Sequence, residues 1–161
     1  MKYLLTLISI FFFNTIYALE FSCLFEEVYQ DGQVQQGTFI IKKNKTRYQY
    51  EDKNLYTIIY AHETMKVIHN HQKTLLNSNK TQRYLFENLT NIASEFPNIN
   101  EEYQIDEYTL KFEKYQNNMF LKRISISSDI NVNLSVYFYD CKNKEIYDIY
   151  FWDSPFFEYK H

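Results

Sequence analysis

The chain has 161 residues and a formal net charge of −3, with 16 tyrosines and 14 phenylalanines but only two glycines and two prolines. Such mild acidity speaks against nucleic acid or an anionic membrane surface as the main partner, and two isolated glycines, Gly32 and Gly37, exclude the glycine-rich cradles that bind phosphates. The abundant aromatic and β-branched residues suit a pleated surface.

At the start, Lys2 supplies a positive charge, Leu4 to Phe13 is an apolar run, and Ala18 offers a small residue for cleavage. That three-part plan predicts a signal peptide over 1–18, cut after Ala18, and the run is shorter than the roughly 20 residues a spanning helix needs. Cys23 follows Glu20-Phe21-Ser22 rather than a lipoprotein box, so it belongs to the folded part. Residues 19–161 then form one exported β-rich domain, carrying 16 basic against 20 acidic residues and large enough for one core.

Phe21 to Tyr29 reads as a strand, Asp31-Gly32 as a turn, and Gln33 to Lys43 as the strand returning from it. Arg47, Gln49 and Glu51 alternate with Tyr48 and Tyr50, and Tyr56, Ile58 and Tyr60 alternate with Leu55, Thr57 and Ile59, giving further strands of a meander. Lys66 to His71 is a weaker strand leading into the polar stretch Gln72 to Lys80. From Thr81 to Phe96 the period changes: Leu85, Leu89 and Ile92 recur at helical spacing and Pro97 stops the run, which predicts one amphipathic helix.

Strands then resume. Leu110 and Phe112 share a face with Tyr108, Phe120 shares one with Ile124 and Ile126, and Ile130, Val132, Leu134, Val136 and Phe138 line another. Glu145 to Trp152 is predicted to pair back on that last strand. The expected fold is therefore mainly β: a curved antiparallel meander, an open or half barrel of about eight to ten strands, with one inserted helix. The helix could fill the concave face as an ordinary core or only lid it, leaving a cavity for an apolar ligand. Periodicity leaves both open.

The stretch from Gly37 through Lys42-Lys43-Asn44 to Tyr48-Gln49-Tyr50 resembles the early strand pair of the periplasmic outer-membrane lipoprotein carrier (LolA-like) family. There a glycine opens a strand that runs into a basic pair, a short turn and alternating aromatics. Leu55 to Tyr60, Met65 to His71, the helix at Thr81 to Ile92, the pair Glu102 to Ile105 and Tyr108 to Phe112, and the closing hairpin Val132 to Phe151 follow in the family's order. The chain departs from the family in running from Leu19-Glu20 almost directly into Phe21, where a first helix is usual, and in having Lys43-Asn44 where Arg-Pro is common. The resemblance implies a carrier of lipid or lipoprotein acyl chains. Its apolar wall would be Tyr48, Tyr50, Tyr56, Ile58, Tyr60, Leu110, Phe112, Leu134, Val136 and Phe138, and Lys43, with Arg47 beside it, would latch the lid. An absent first helix would leave part of the concave face open, which suits an alternative role: an envelope protein-binding or assembly factor presenting an aromatic sheet face.

Cys23 and Cys141 are 118 residues apart and enter an oxidising space if the leader acts, so a disulfide is the favoured reading and two buried free thiols the other. His62, His69 and His71 raise the further alternative of a zinc or copper site, although no carboxylate or cysteine stands at defined spacing. The acid pairs Glu101-Glu102 and Asp106-Glu107 would point to opposite faces of a strand, and no serine or histidine lies in a recognisable nucleophilic arrangement. The chain therefore reads as non-catalytic and free of cofactors.

Overall fold

In the computed structural model, which describes residues 20–78, 80–116, 120–128 and 133–152, the first described strand lies in the middle of the sheet. Strand β1 (Glu20–Tyr29) lies between β2 (Val34–Lys42) and the last strand, β10 (Asn133–Lys142). From β2 the chain meanders outward through β3 (Lys45–Tyr50), β4 (Tyr56–Ala61) and β5 (Thr64–His69) to a two-residue edge strand, β6 (Leu75–Leu76). Helix α1 (Lys80–Ser94) carries it to the opposite edge, where β7 (Glu102–Ile105), β8 (Tyr108–Lys114) and β9 (Leu121–Ser128) lead back to β10. All pairings are antiparallel, and among the described residues β6 and β7 are paired on one side only, so the ten strands form an open sheet rather than a closed barrel. Both edge strands are short, which limits the row of unpaired backbone groups they present. The predicted leader at 1–18, together with Ile130 and Val132, lies outside the described residues.

Turn chemistry fixes the central hairpin. Gly32 takes φ +82°, and the turn closes through hydrogen bonds from Gly32 N to Tyr29 O and from Tyr29 N to Gln33 O, both 3.0 Å. The β4–β5 turn was not legible, because His62 and Glu63 adopt φ of 52° and 58° without a glycine. The alternation of β1 sends Phe21, Cys23 and Phe25 to the inner face, where they pack in one core with Phe39, Tyr48, Val136 and Phe138 and with Ile92, Ala93 and Phe96 from and just beyond α1. The backbone of Gly37 permits this, since a Cβ there would stand 2.5 Å from Cζ of the Phe25 ring.

Cys23 and Cys141 form a disulfide between β1 and β10. Simple alternation from Phe138 would send residue 141 to the outer face. The pairing of β1 with β10 shifts register between Ser22 and Leu24, and Asp140 takes φ 48°. This bulge inserts one residue into β10 and returns Cys141 to the inner face, opposite Cys23.

The last described segment differs from expectation. Residues 145–152 do not pair with β10; they cross the outer face of the sheet and end in a 3-10 turn at Asp148–Phe151. Ile146 and Phe151 bury themselves there against Ile40, Ile59 and Ile68, a second and smaller core. Buried apolar contact outweighs a strand pairing here because β10 already has partners on both sides, β1 and β9, and offers no free edge. Polar ties complete the attachment: Lys42 Nζ donates to Ile146 O at 2.6 Å, Ile146 N donates to Glu20 Oε2 at 3.1 Å, and Lys45 pairs with Asp148 at 3.1 Å.

Arg47 belongs to this outer attachment. It is 1% exposed, donating from Nη1 to Tyr150 O at 3.0 Å and from Nε to Gln49 Oε1 at 2.9 Å, and burial pulls its guanidinium down to about 10. Burying the Arg47 charge is costly, with Nη2 lacking a hydrogen-bond partner among the described residues, and methionine removes that cost at similar length. Arg47→Met should therefore leave the sheet's circular dichroism intact while freeing the terminal segment, so that trypsin cuts at Lys144 faster than in the parent protein. An unchanged cleavage rate would mean that Ile146 and Phe151 hold the segment without Arg47.

Candidate functional site

The inner face is filled under one half of the helix and hollow under the other. Toward β7 to β9, the end of α1 and the residues after it bring Ile92, Phe96 and Ile99 onto Phe21, Leu110, Phe112 and Leu121. Ring pairs knit this half together, Phe21 standing 6.3 Å from Phe96 and 5.8 Å from Phe120, and Tyr103 5.5 Å from Phe112. Farther back along α1, Phe86 and Leu89 instead stand over a void of about 120 Å³ lined from β2 to β4 and from β9 and β10 by Phe39, Tyr48, Tyr50, Ile58, Ile126, Leu134, Val136 and Phe138. A larger void of about 400 Å³ adjoins it and reaches the rim at Tyr29, Leu76, Asn77, Ser78 and Gln82. The two share Glu27, Tyr50, Ile58, Phe86, Leu89 and Leu134 as walls, so they lie side by side. The larger void alone has the size of an ordinary small-molecule site.

Seven of the ten residues expected to line an apolar wall border these voids: Tyr48, Tyr50, Tyr56, Ile58, Leu134, Val136 and Phe138. Leu110 and Phe112 do not, because they sit in the filled half of the core. Tyr60 shares their inner face but is buried beside Glu87 of α1, away from the void, and desolvation with that carboxylate pushes its phenol up. The expected latch is also corrected. Strand parity places Arg47 on the outer face, opposite Tyr48 and Tyr50, so it holds the terminal segment and not the helix; Lys43 is an exposed turn residue at φ 54°.

The three histidines do not converge. His62 occupies the β4–β5 turn, whereas His69 pairs with Tyr56 at the far end of the hairpin, roughly 17 Å away at the usual rise per residue. His69 Nδ1 instead accepts hydrogen bonds from the backbone N–H groups of His71 and Gln72, both at 3.2 Å, and so shapes a turn. Among the described residues, no group of three His, Cys, Asp or Glu side chains is placed to hold a metal ion. Tyr137 and Tyr139 are exposed on the outer face of β10.

Glu27 is the site residue that sequence reading missed. It is 4% exposed and accepts three phenolic hydrogen bonds: from Tyr48 to Oε1 at 2.6 Å, from Tyr50 to Oε2 at 2.8 Å and from Tyr29 to Oε2 at 2.6 Å. The signal was present in the parity of β1, since Phe21, Cys23, Phe25 and Glu27 share one face, while Glu26 faces out and meets Gln36 at 3.0 Å. A buried polar group is tolerated where it is hydrogen-bonded, and one tyrosine of β1 and two of β3, with β2 between the strands, supply those bonds.

The same bonds act on the tyrosines. Burial first, then the Glu27 carboxylate, raises the phenols of Tyr29, Tyr48 and Tyr50 above their ordinary value of 10.0. In the unfolded chain these phenols lose protons near that value, whereas the folded chain retains them, so above it the unfolded state binds fewer protons and folding stability falls as pH rises. Below it these three groups contribute no pH dependence to stability. The expected result of an alkaline titration is that a set of phenolate absorbances appears only together with cooperative loss of β-sheet circular dichroism; gradual ionisation of every tyrosine near pH 10.0 in the folded protein would contradict the cluster.

A scan against models of known protein families gives no match for this chain, and a search of curated proteins gives none either.

Proposed function

We propose that the protein is a non-catalytic carrier of lipid or lipoprotein acyl chains in the envelope, akin to the lipoprotein carriers its sequence resembles, and that the chains occupy the space between α1 and the inner face. The observation that carries this reading is the void itself. An ordinary core would fill it, as the neighbouring half does with Leu110 and Phe112, because protein interiors pack densely and empty apolar volume costs stability. Here Phe86 and Leu89 roof two adjoining voids, the larger reaching Leu76 and Gln82. Burying an acyl chain against such walls contributes about 0.8 kcal/mol per methylene. The disulfide supports an oxidising compartment such as the periplasm.

Native mass spectrometry on protein exported through its own leader and purified without detergent tests the reading. Co-purified lipid or acyl peptide is expected, and Leu134→Glu, which places a charge in the wall shared by both voids, should release it. A bare protein mass, together with no uptake of added lipid, would overturn the carrier reading.

A further inference from the structure

The acyl-carrier reading leaves unexplained why a carboxylate sits where the two voids meet. Glu27 lines both, and no cation pairs with it among the described residues. Its hydrogen bonds determine what it can offer a ligand. The hydroxyl protons of Tyr29, Tyr48 and Tyr50 all point to Glu27, so these phenols have no proton left to donate into the void. Two of the three bonds go to Oε2 and one to Oε1, and a carboxylate has about four acceptor positions, which leaves one open on Oε1. Glu27 and the three tyrosines around it therefore present acceptors alone, while the donors of the lining belong to other residues, among them Thr46, Tyr56 and Gln82.

We infer that the ligand is an apolar chain bearing an ammonium group, whose N–H donates to Glu27 Oε1 while the chain lies beneath Phe86 and Leu89. This rests on the carrier reading and narrows it to one class of cargo. The ammonium supplies the counter-charge that three neutral phenols do not, and a charge-assisted hydrogen bond inside a site shielded from water is stronger than a neutral one. The rings of Tyr50 and Tyr56, 5.0 Å apart between centroids, stand in the wall of the larger void beside Glu27, and aromatic faces attract cations. A free carboxylate or phosphate at the same place would meet the Glu27 charge, and none of the three phenols bonded to Glu27 has a proton to give it, so fatty acids should be discriminated against.

The test compares three probes of one chain length, dodecylamine, dodecanol and dodecanoic acid, by titration calorimetry below their aggregation concentrations at neutral pH. The folded parent protein is expected to bind the amine at least about tenfold more tightly than the acid, with the alcohol between them. In Glu27→Gln, which keeps the size and removes the charge, the amine should lose its advantage over the alcohol while both still bind. Tyr29→Phe, at the half-buried rim, frees a second acceptor position on Oε2 and should keep or increase the amine preference, so the proposal remains testable if Glu27→Gln does not fold. Binding of the acid as tight as the amine, or an amine preference that survives in folded Glu27→Gln, would overturn the inference and leave the carrier reading standing. Failure of all three probes to bind the folded parent would overturn both.

Discussion

Reduction of the Cys23–Cys141 bond is expected to lower the unfolding free energy by about 4 to 5 kcal/mol, the chain-entropy value for so long a loop. The 118-residue separation is one part of the reason and the position of the bond is the other. The pairing of β1 with β10 is the seam joining the outward meander β2 to β6 with the returning meander β7 to β9. Bringing the two ends of the chain together is the costliest loop closure in the fold, and the bond makes it before folding starts. Denaturant titrations of oxidised and reduced protein should show a lower midpoint after reduction and a steeper dependence on denaturant, because an unconstrained unfolded chain exposes more surface. The Cys23→Ala, Cys141→Ala double variant should behave like the reduced protein. Coincident transitions in the two redox states would contradict the seam.

Phe25→Ala should cost about 3 to 5 kcal/mol, the range for truncating a fully buried aromatic side chain. Phe25 is 0% exposed; its ring stacks on Tyr48 with centroids 3.9 Å apart, meets Tyr50 edge-on at 5.6 Å and covers Gly37. Removing it opens a hole that Gly37 has no side chain to fill, so relaxation around the site is restricted. It also removes the support under two of the three tyrosines that hold Glu27, although Phe25 itself does not line the void. Loss of stability is thus expected together with weaker amine discrimination, and Phe25→Leu should recover part of both. A loss below about 1 kcal/mol, measured by equilibrium urea unfolding, would show that the neighbouring strands close over the gap.

The arrangement around Glu27 distributes its cost across the sheet. Each phenolic bond to a charged acceptor contributes on the order of 1.5 to 3 kcal/mol, set against the expense of withdrawing a carboxylate from water. The three donors come from β1 and β3, so the cluster ties the central hairpin to the strand beyond it. On the opposite face Arg47 is a buried cation held by one carbonyl and one amide oxygen, and its Nη2 has no hydrogen-bond partner among the described residues. Adjacent positions in β3 therefore point to a carboxylate inside and carry a guanidinium outside.

Local sequence determined the strands, the helix and the open meander, because alternation at Phe21 to Tyr29 and at Tyr48 to Tyr60 and the helical spacing of Leu85, Leu89 and Ile92 are short-range signals that burial enforces residue by residue. It also placed seven of the ten proposed wall residues on the same hollow half of the inner face, since residues of like parity on paired strands share a face. Four things were settled only by the tertiary structure. Which half of the inner face is filled depends on where α1 and Phe96 come down, a matter of packing volume. The face of Cys141 depends on a bulge at Asp140, which reverses parity. The path of residues 145–152 depends on β10 being already paired on both sides and on an apolar patch of Ile40, Ile59 and Ile68 from three different strands. The burial of Glu27 depends on tyrosines 21 and 23 residues away in sequence; parity puts it on the inner face of β1, but only the pairing of the strands that carry those tyrosines satisfies it there.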